Sequence, residues 1–302
     1  MLDATRPVRF DPADFAALGT LTLKARYVME GFLHGVHGSP FHGPSVEFAD
    51  YRDYQPGDDL RHLDWRLYAR NDRLCIKRFE QETNARCYVL CDTSGSMSYR
   101  GARAWGSKLD CARVAATALG WFLLRQNDAV GLIALRPDAG LRYLRPSQKG
   151  SQLGRFLGEA EALAGAGGER LAALLEQTSR LAWRRSLILL FSDLLEPAAA
   201  VATGFRRLRF EGHECIVFQV LDPDEIDFPF ADGTVLEDLE TLDRRQFDGG
   251  GIRELYRKRF AAFMAAHREL FRQLEIPHVV LRTDEDPGRV LGRFLAERAR
   301  RS

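Results

Sequence analysis

The sequence predicts an α/β fold: a mostly parallel six-stranded sheet flanked by helices over residues 85–302, with a small mixed extension over 1–84 packed on it. Three observations predict it. From residue 85 onward, short apolar runs alternate with helix-period segments, and strands separated by helices demand a mostly parallel sheet with right-handed crossovers. The run Ser186–Phe191 is continuous and apolar, as a strand covered on both faces must be. Only Arg136–Gly140 separates the second and third strands, and five residues with a glycine make a hairpin.

Each element has its own signal. Apolar positions Phe15, Leu18, Leu21, Leu23, Val28, Met29, Phe32 and Leu33 predict a helix within 11–36 that starts near Asp11-Pro12. A Gly/Pro-rich loop follows. Its His34, His37 and His42 have no Cys or acidic residue at ligand spacing beside them, so the metal reading is disfavoured. Residues 46–84 are dense in aromatics and arginine, and Pro56-Gly57-Asp58 marks a turn. Short strands and a helical turn are expected there.

In the main domain the strands are Arg86–Cys91, Ala129–Leu135, Leu141–Leu144, Ser186–Phe191, Glu214–Leu221 and His278–Leu281. The helices are Leu109–Leu124, Ser151–Leu163, Leu171–Trp183, Pro197–Phe210, Ile252–Leu274 and Pro287–Arg300. Residues 222–250, rich in Pro, Asp and Gly, read as an insertion. The Ile252–Leu274 helix carries a core-facing stripe that includes His267, read as a packing residue and not a ligand.

Composition narrows the function. The 302 residues carry 43 basic and 42 acidic side chains, net +1. No global field draws the chain to nucleic acid or an anionic membrane. The basic residues of 51–78 are interleaved with Asp58, Asp59, Asp64, Asp72 and Glu80, which reads as a self-paired surface. No apolar run is long enough to span a bilayer, and residues 1–10 carry no apolar leader core. A cytoplasmic protein is expected. The five cysteines include no C-x-x-C pair and read as buried thiols.

The chemistry concentrates at Asp92-Thr93-Ser94-Gly95-Ser96, where the first strand stops. Asp92, Ser94 and Ser96 offer a carboxylate and two hydroxyls, all hard oxygen donors suited to Mg2+, not zinc. The usual order of six such strands, 3-2-1-4-5-6, makes the first and fourth strands neighbours at a switch-point crevice. The fourth ends at Ser192-Asp193, so Asp193 faces Asp92 across that crevice. Two neutral hydroxyl ligands leave the cation electrophilic, and an open position favours a carboxylate from a protein partner. That is a binding device, not a hydrolytic one. No G-x-S-x-G elbow is present, and no histidine is evidently delivered to act as base. A metal-dependent hydrolase is the alternative.

These residues, with the antiparallel third strand, resemble the von Willebrand factor A domain with a metal-ion-dependent adhesion site. The resemblance implies Asp92, Ser94, Ser96 and Asp193 as ligands of Mg2+, or of Mn2+ or Ca2+. The chain departs from that family in one loop, where Gly167-Gly168 is followed by Glu169 and not threonine. Glu169 could supply an oxygen, fill the site as a mimic of the partner, or disable metal binding and leave a metal-free scaffold.

A longer signature precedes the domain. Glu47 through Tyr51-Arg52, Tyr54, Pro56-Gly57-Asp58-Asp59, Arg61, Asp64-Trp65 and Ala69-Arg70 resembles the domain-of-unknown-function-58 family. Asp222-Pro-Asp-Glu225, Phe228-Pro229-Phe230, Asp238-Leu239-Glu240 and Leu281-Arg-Thr283-Asp284 extend the resemblance over nearly the whole chain. It implies a non-enzymatic protein working with a MoxR-type AAA+ ATPase in protein maturation or complex assembly. Read from the residues, the signature is mainly structural, with Gly57 in a turn and Trp65 as an anchor. The functional reading makes Arg52, Arg61, Arg66 and Arg70 a partner-binding face.

Overall fold

In a computed structural model of the chain, the described residues are 10–33, 47–54, 65, 67–68, 74–80, 86–136, 140–165, 171–183, 185–231, 235–237, 239, 244–246 and 249–300. They fall into two compact units, Met1–Pro40 with Arg86–Ser302, and Phe41–Ala85. The N-terminal helices thus group with the larger unit, whereas the sequence reading placed them with the signature segment in 1–84.

In the smaller unit, β1 (Glu47–Asp53) pairs antiparallel with β2 (Cys75–Glu80). Trp65 meets Tyr68 edge to face, with ring centroids 6.4 Å apart. Arg52 lies on β1 opposite Ile76. Arg61, Arg66 and Arg70, the histidine loop and Glu169 lie outside the described residues.

The larger unit opens with two helices where the sequence predicted one: α1 (Pro12–Ala17) and α2 (Leu21–Leu33). Asp11 caps α1 by accepting from Ala13 N at 2.8 Å. The helix stops at Leu18 in an extended conformation, and Gly19 follows, a residue with low helix propensity. Thr20 Oγ1 then accepts from Leu23 N at 3.3 Å and starts α2. Local polar competition outweighs the continuous apolar period.

The sheet follows the predicted order. Its strands are β3 (Arg86–Cys91), β4 (Ala129–Leu135), β5 (Leu141–Ser147), β6 (Leu187–Ser192), β7 (Glu214–Leu221) and β10 (His278–Arg282). Across the sheet they run β10-β7-β6-β3-β4-β5. All neighbours are parallel except β4 and β5. β5 runs on past Leu144 through Pro146. It is an edge strand, where a residue without an N–H costs no ladder bond on the open side.

Five longer helices flank the sheet: α3 (Lys108–Arg125), α4 (Gln152–Glu161), α5 (Leu171–Leu181), α6 (Ala198–Phe210) and α9 (Pro287–Ala299). The 222–250 insertion contains a short helix, α7 (Pro223–Asp227), and an antiparallel ribbon of β8 (Val235–Glu237) and β9 (Arg244–Gln246). The 25-residue α8 (Gly249–Gln273) follows. α2 lies against α3 and α9, and Phe32 meets Phe122 edge to face at 5.4 Å. Phe191 stacks on Phe218 at 4.8 Å in the sheet interior. Each such fully buried ring contributes roughly 1.5–3 kcal/mol. Cys87, Cys91, Cys111 and Cys215 are buried free thiols. No described helix is long and apolar enough to cross a membrane.

Candidate functional site

The register of β3 and β6 builds the site. Cys91 pairs with Phe191, and Asp92 N donates to Phe191 O at 2.9 Å. The two chains therefore leave the sheet side by side, and Asp92 and Ser192 arrive together. Asp92 Oδ2 accepts from Ser192 Oγ at 2.5 Å, and its Oδ1 accepts from Ser94 N at 2.9 Å. The turn continues as a single 3-10 turn over Gly95–Ser98. That turn brings Ser94 Oγ and Ser96 Oγ to 3.1 Å. Asp92, Ser94, Ser96 and Asp193 are all buried.

Asp193 is held from its own side. Its Oδ1 accepts from Leu195 N at 3.2 Å, and Ser192 Oγ accepts from Leu194 N at 2.9 Å. Between them Leu194 adopts φ 59°, a left-handed conformation that is strained for a residue with a Cβ. Burial of the Leu194 side chain in the core offsets that strain. The Asp193 carbonyl accepts from Gln219 Nε2 at 3.1 Å, and Gln219 Oε1 contacts His278 Nε2 at 2.9 Å. Among the described residues, His278 is linked to the site through Gln219.

The sequence reading missed three groups. Lys108, the first residue of α3, is fully buried; its Nζ donates to Asp193 Oδ2 at 2.8 Å and to Glu225 Oε1 at 2.5 Å. Ser192 supplies the hydroxyl on Asp92. Glu225 comes from α7, where its other oxygen accepts from Asp222 N at 2.9 Å. A signal for Lys108 was present. A lysine in the first turn of a helix opposes the helix dipole, which favours anions there. Such a lysine is stable when nearby carboxylates supply the compensating charge.

The electrostatics are those of a buried acidic cluster. Burial, followed by the charge of Asp193, raises the Asp92 carboxyl to about 6. Burial opposes the Lys108 charge, but Asp193 and Glu225 more than offset it, so its pKa lies above that of a free lysine. Burial also raises Glu225, against the pull of Lys108. Asp222 and Asp224 lie beyond. Asp222 Oδ2 accepts from Gly101 N and Thr283 Oγ1, both at 2.9 Å, and Asp224 pairs with Arg103 at 3.0 Å. Together with Glu225 these carboxylates, after burial itself, push Tyr99 up to about 12.

The donor set fits a hard cation. Two neighbouring oxygens of a Mg2+ site with ligands at about 2.1 Å lie roughly 3 Å apart, close to the Ser94–Ser96 separation of 3.1 Å. Asp92 adds a carboxylate in the same turn. Among the described residues no three His, Cys, Asp or Glu side chains form a metal cluster; the candidate set depends on hydroxyls. The loop that leads toward Glu169 reaches the site at Gly165, whose carbonyl accepts from Ser98 Oγ at 3.0 Å. A Cβ at Gly165 would lie 2.2 Å from Ser98 Oγ.

An uncharacterized Mycobacterium tuberculosis protein, Rv1480, is 31% identical over 301 residues, covering 96% of this chain and 91% of that protein. Among solved structures, the conserved hypothetical protein BatB of Bacteroides thetaiotaomicron aligns with a TM-score of 0.47 at 13% identity. That alignment covers 72% of this chain and 99% of BatB. The SpRpn10 VWA domain aligns with a TM-score of 0.40 at 10% identity, over 68% of this chain and 93% of that domain. The family model described as "Protein of unknown function DUF58" matches residues 50–270. With most of its length under that model, the chain belongs to the DUF58 family.

Proposed function

We propose that this protein is a non-enzymatic, Mg2+-dependent protein-interaction module that works beside a MoxR-type AAA+ ATPase in protein maturation or complex assembly. The observation that carries the reading is the buried Asp92–Ser94–Ser96 turn at the carboxyl ends of adjacent strands, with its two hydroxyl oxygens 3.1 Å apart. Asp92, Ser94 and Ser96 would hold the cation, with Asp193 across the crevice. Mn2+ or Ca2+ can replace Mg2+ on the same oxygen donors. When bound, the cation offers an open position to a carboxylate of the partner. The residues around it orient the donors: Ser192 fixes Asp92, and the Leu194 turn fixes Asp193. A cytoplasmic setting, beside a cytosolic ATPase, belongs to the same proposal.

A metal-free scaffold is the second reading. The Lys108–Asp193 ion pair favours it, because it already neutralises one proposed ligand. Capture of a purified MoxR-type ATPase separates the two. Immobilised protein should retain the ATPase in Mg2+ and release it in EDTA. Retention that EDTA does not change favours the metal-free scaffold, and no retention under either condition removes the proposed partner.

A further inference from the structure

We infer that Lys108 is a tethered counter-cation that competes with the metal for Asp193 and so sets the cation affinity of the cradle. The inference rests on the Mg2+ reading above and specifies how that site is regulated. Its geometry is direct. The Lys108 side chain is 0% exposed, and two of its three N–H donors meet Asp193 Oδ2 and Glu225 Oε1. The ammonium is built into the fold from its backbone outward. Ser107 caps α3 by accepting from Asp110 N at 3.1 Å, and Asp110 Oδ2 accepts from Ser107 N at 3.0 Å. Lys108 N donates to Tyr99 O at 3.0 Å, which ties the start of α3 to the end of the Asp92–Ser98 turn.

Charge explains the consequence. Asp92, Asp193 and Glu225 are three buried or largely buried carboxylates, and Lys108 is the cation bonded to two of them. A divalent ion drawn to Asp193 meets a carboxylate oxygen already bonded to an ammonium. It also feels repulsion from that ammonium across a low-dielectric interior. Glu225 gives the lysine a second anchor, so Lys108 can let go of Asp193 and remain paired. The metal-free protein then has Asp193 neutralised by Lys108, and the metal-bound protein has Lys108 shifted onto Glu225. The cradle binds metal weakly by construction, and whatever draws Lys108 toward Glu225 strengthens it.

The test is cation binding by the full chain with Mn2+ as the probe, followed by electron paramagnetic resonance, and thermal unfolding in EDTA and in Mg2+. Lys108→Met should bind Mn2+ at least ~10-fold more tightly than the wild type. Its melting temperature should fall in EDTA and recover in Mg2+. Lys108→Met/Glu225→Gln removes one acid with the base and tests the same gain if the single variant does not fold without metal. Equal Mn2+ affinity in the wild type and in whichever variant folds overturns the competition and leaves the metal reading standing. No Mn2+ binding by any of these proteins overturns both.

Discussion

Asp92→Asn is expected to fold normally and to lose the divalent cation. The asparagine keeps the size of the side chain and an oxygen that accepts from Ser94 N. Its amide faces Ser192 Oγ, which already accepts from Leu194 N. Turning that hydroxyl costs about 1 kcal/mol. Against this, the substitution removes a buried charge whose carboxyl burial and Asp193 already raise to about 6. Stability in EDTA should therefore lie within ~1 kcal/mol of wild type. Metal affinity should fall by ~100-fold, because ligand charge is what holds a hard cation. A cation present at 100 times its dissociation constant stabilises the folded state by ~2.7 kcal/mol. At that concentration wild-type stability should thus rise by ~2.7 kcal/mol, and that of Asp92→Asn, with ~100-fold weaker binding, by only ~0.4 kcal/mol. Calorimetry showing the same Mg2+ affinity in both proteins would remove Asp92 from the site.

The second large effect is on the sheet. A Cβ at Gly131 would lie 2.4 Å from Leu144 O, 2.7 Å from Pro146 N and 2.8 Å from Pro146 Cδ. These are backbone and ring atoms of the neighbouring strand, and no side chain can swing away. Gly131 lies where the β4–β5 register shifts between Val130 and Leu132, the kind of bulge at which strand glycines occur. Gly131→Ala should cost ~2–3 kcal/mol, as overpacking does. Urea unfolding followed by circular dichroism would show it as an earlier midpoint. Gly158→Ala, on α4 with nothing within 4 Å of the added carbon, is the control and should be neutral or slightly stabilising. A Gly131→Ala midpoint equal to that of the control would contradict the close approach of the two strands.

The fold was legible because its signals are local and mutually consistent. Apolar runs fix the strands, and the five-residue Arg136–Gly140 link makes β5 antiparallel. Together they leave one usual order, and the observed order is that one. Asp92 and Asp193 were legible by the same route, since each ends a central strand. What the sequence concealed depends on competition between local and tertiary terms. Gly19 and Thr20 break a helix that hydrophobic spacing continues. The third strand was read as ending at Leu144; it runs on through Pro146, which is tolerated because β5 is an edge.

Glu225 lay in a segment read only as an insertion, and locally it is a capping residue of α7. Its second oxygen, however, meets a lysine 117 positions away. Lys108 itself carried only an indirect sign, a cation at the wrong end of a helix. Its two carboxylate partners, Asp193 just past β6 and Glu225 on α7, are far from it in sequence, and only the folded chain brings them together.

As proposed, the Asp92–Ser94–Ser96 turn is a cation site whose affinity Lys108 tunes. The most direct measurement is a crystal structure at saturating Mn2+, with anomalous scattering to locate the ion. The prediction is an anomalous peak between Asp92, Ser94 and Ser96, with the Lys108 ammonium withdrawn from Asp193 toward Glu225. Absence of a peak there, with Lys108 still bonded to Asp193 at saturating Mn2+, would contradict it.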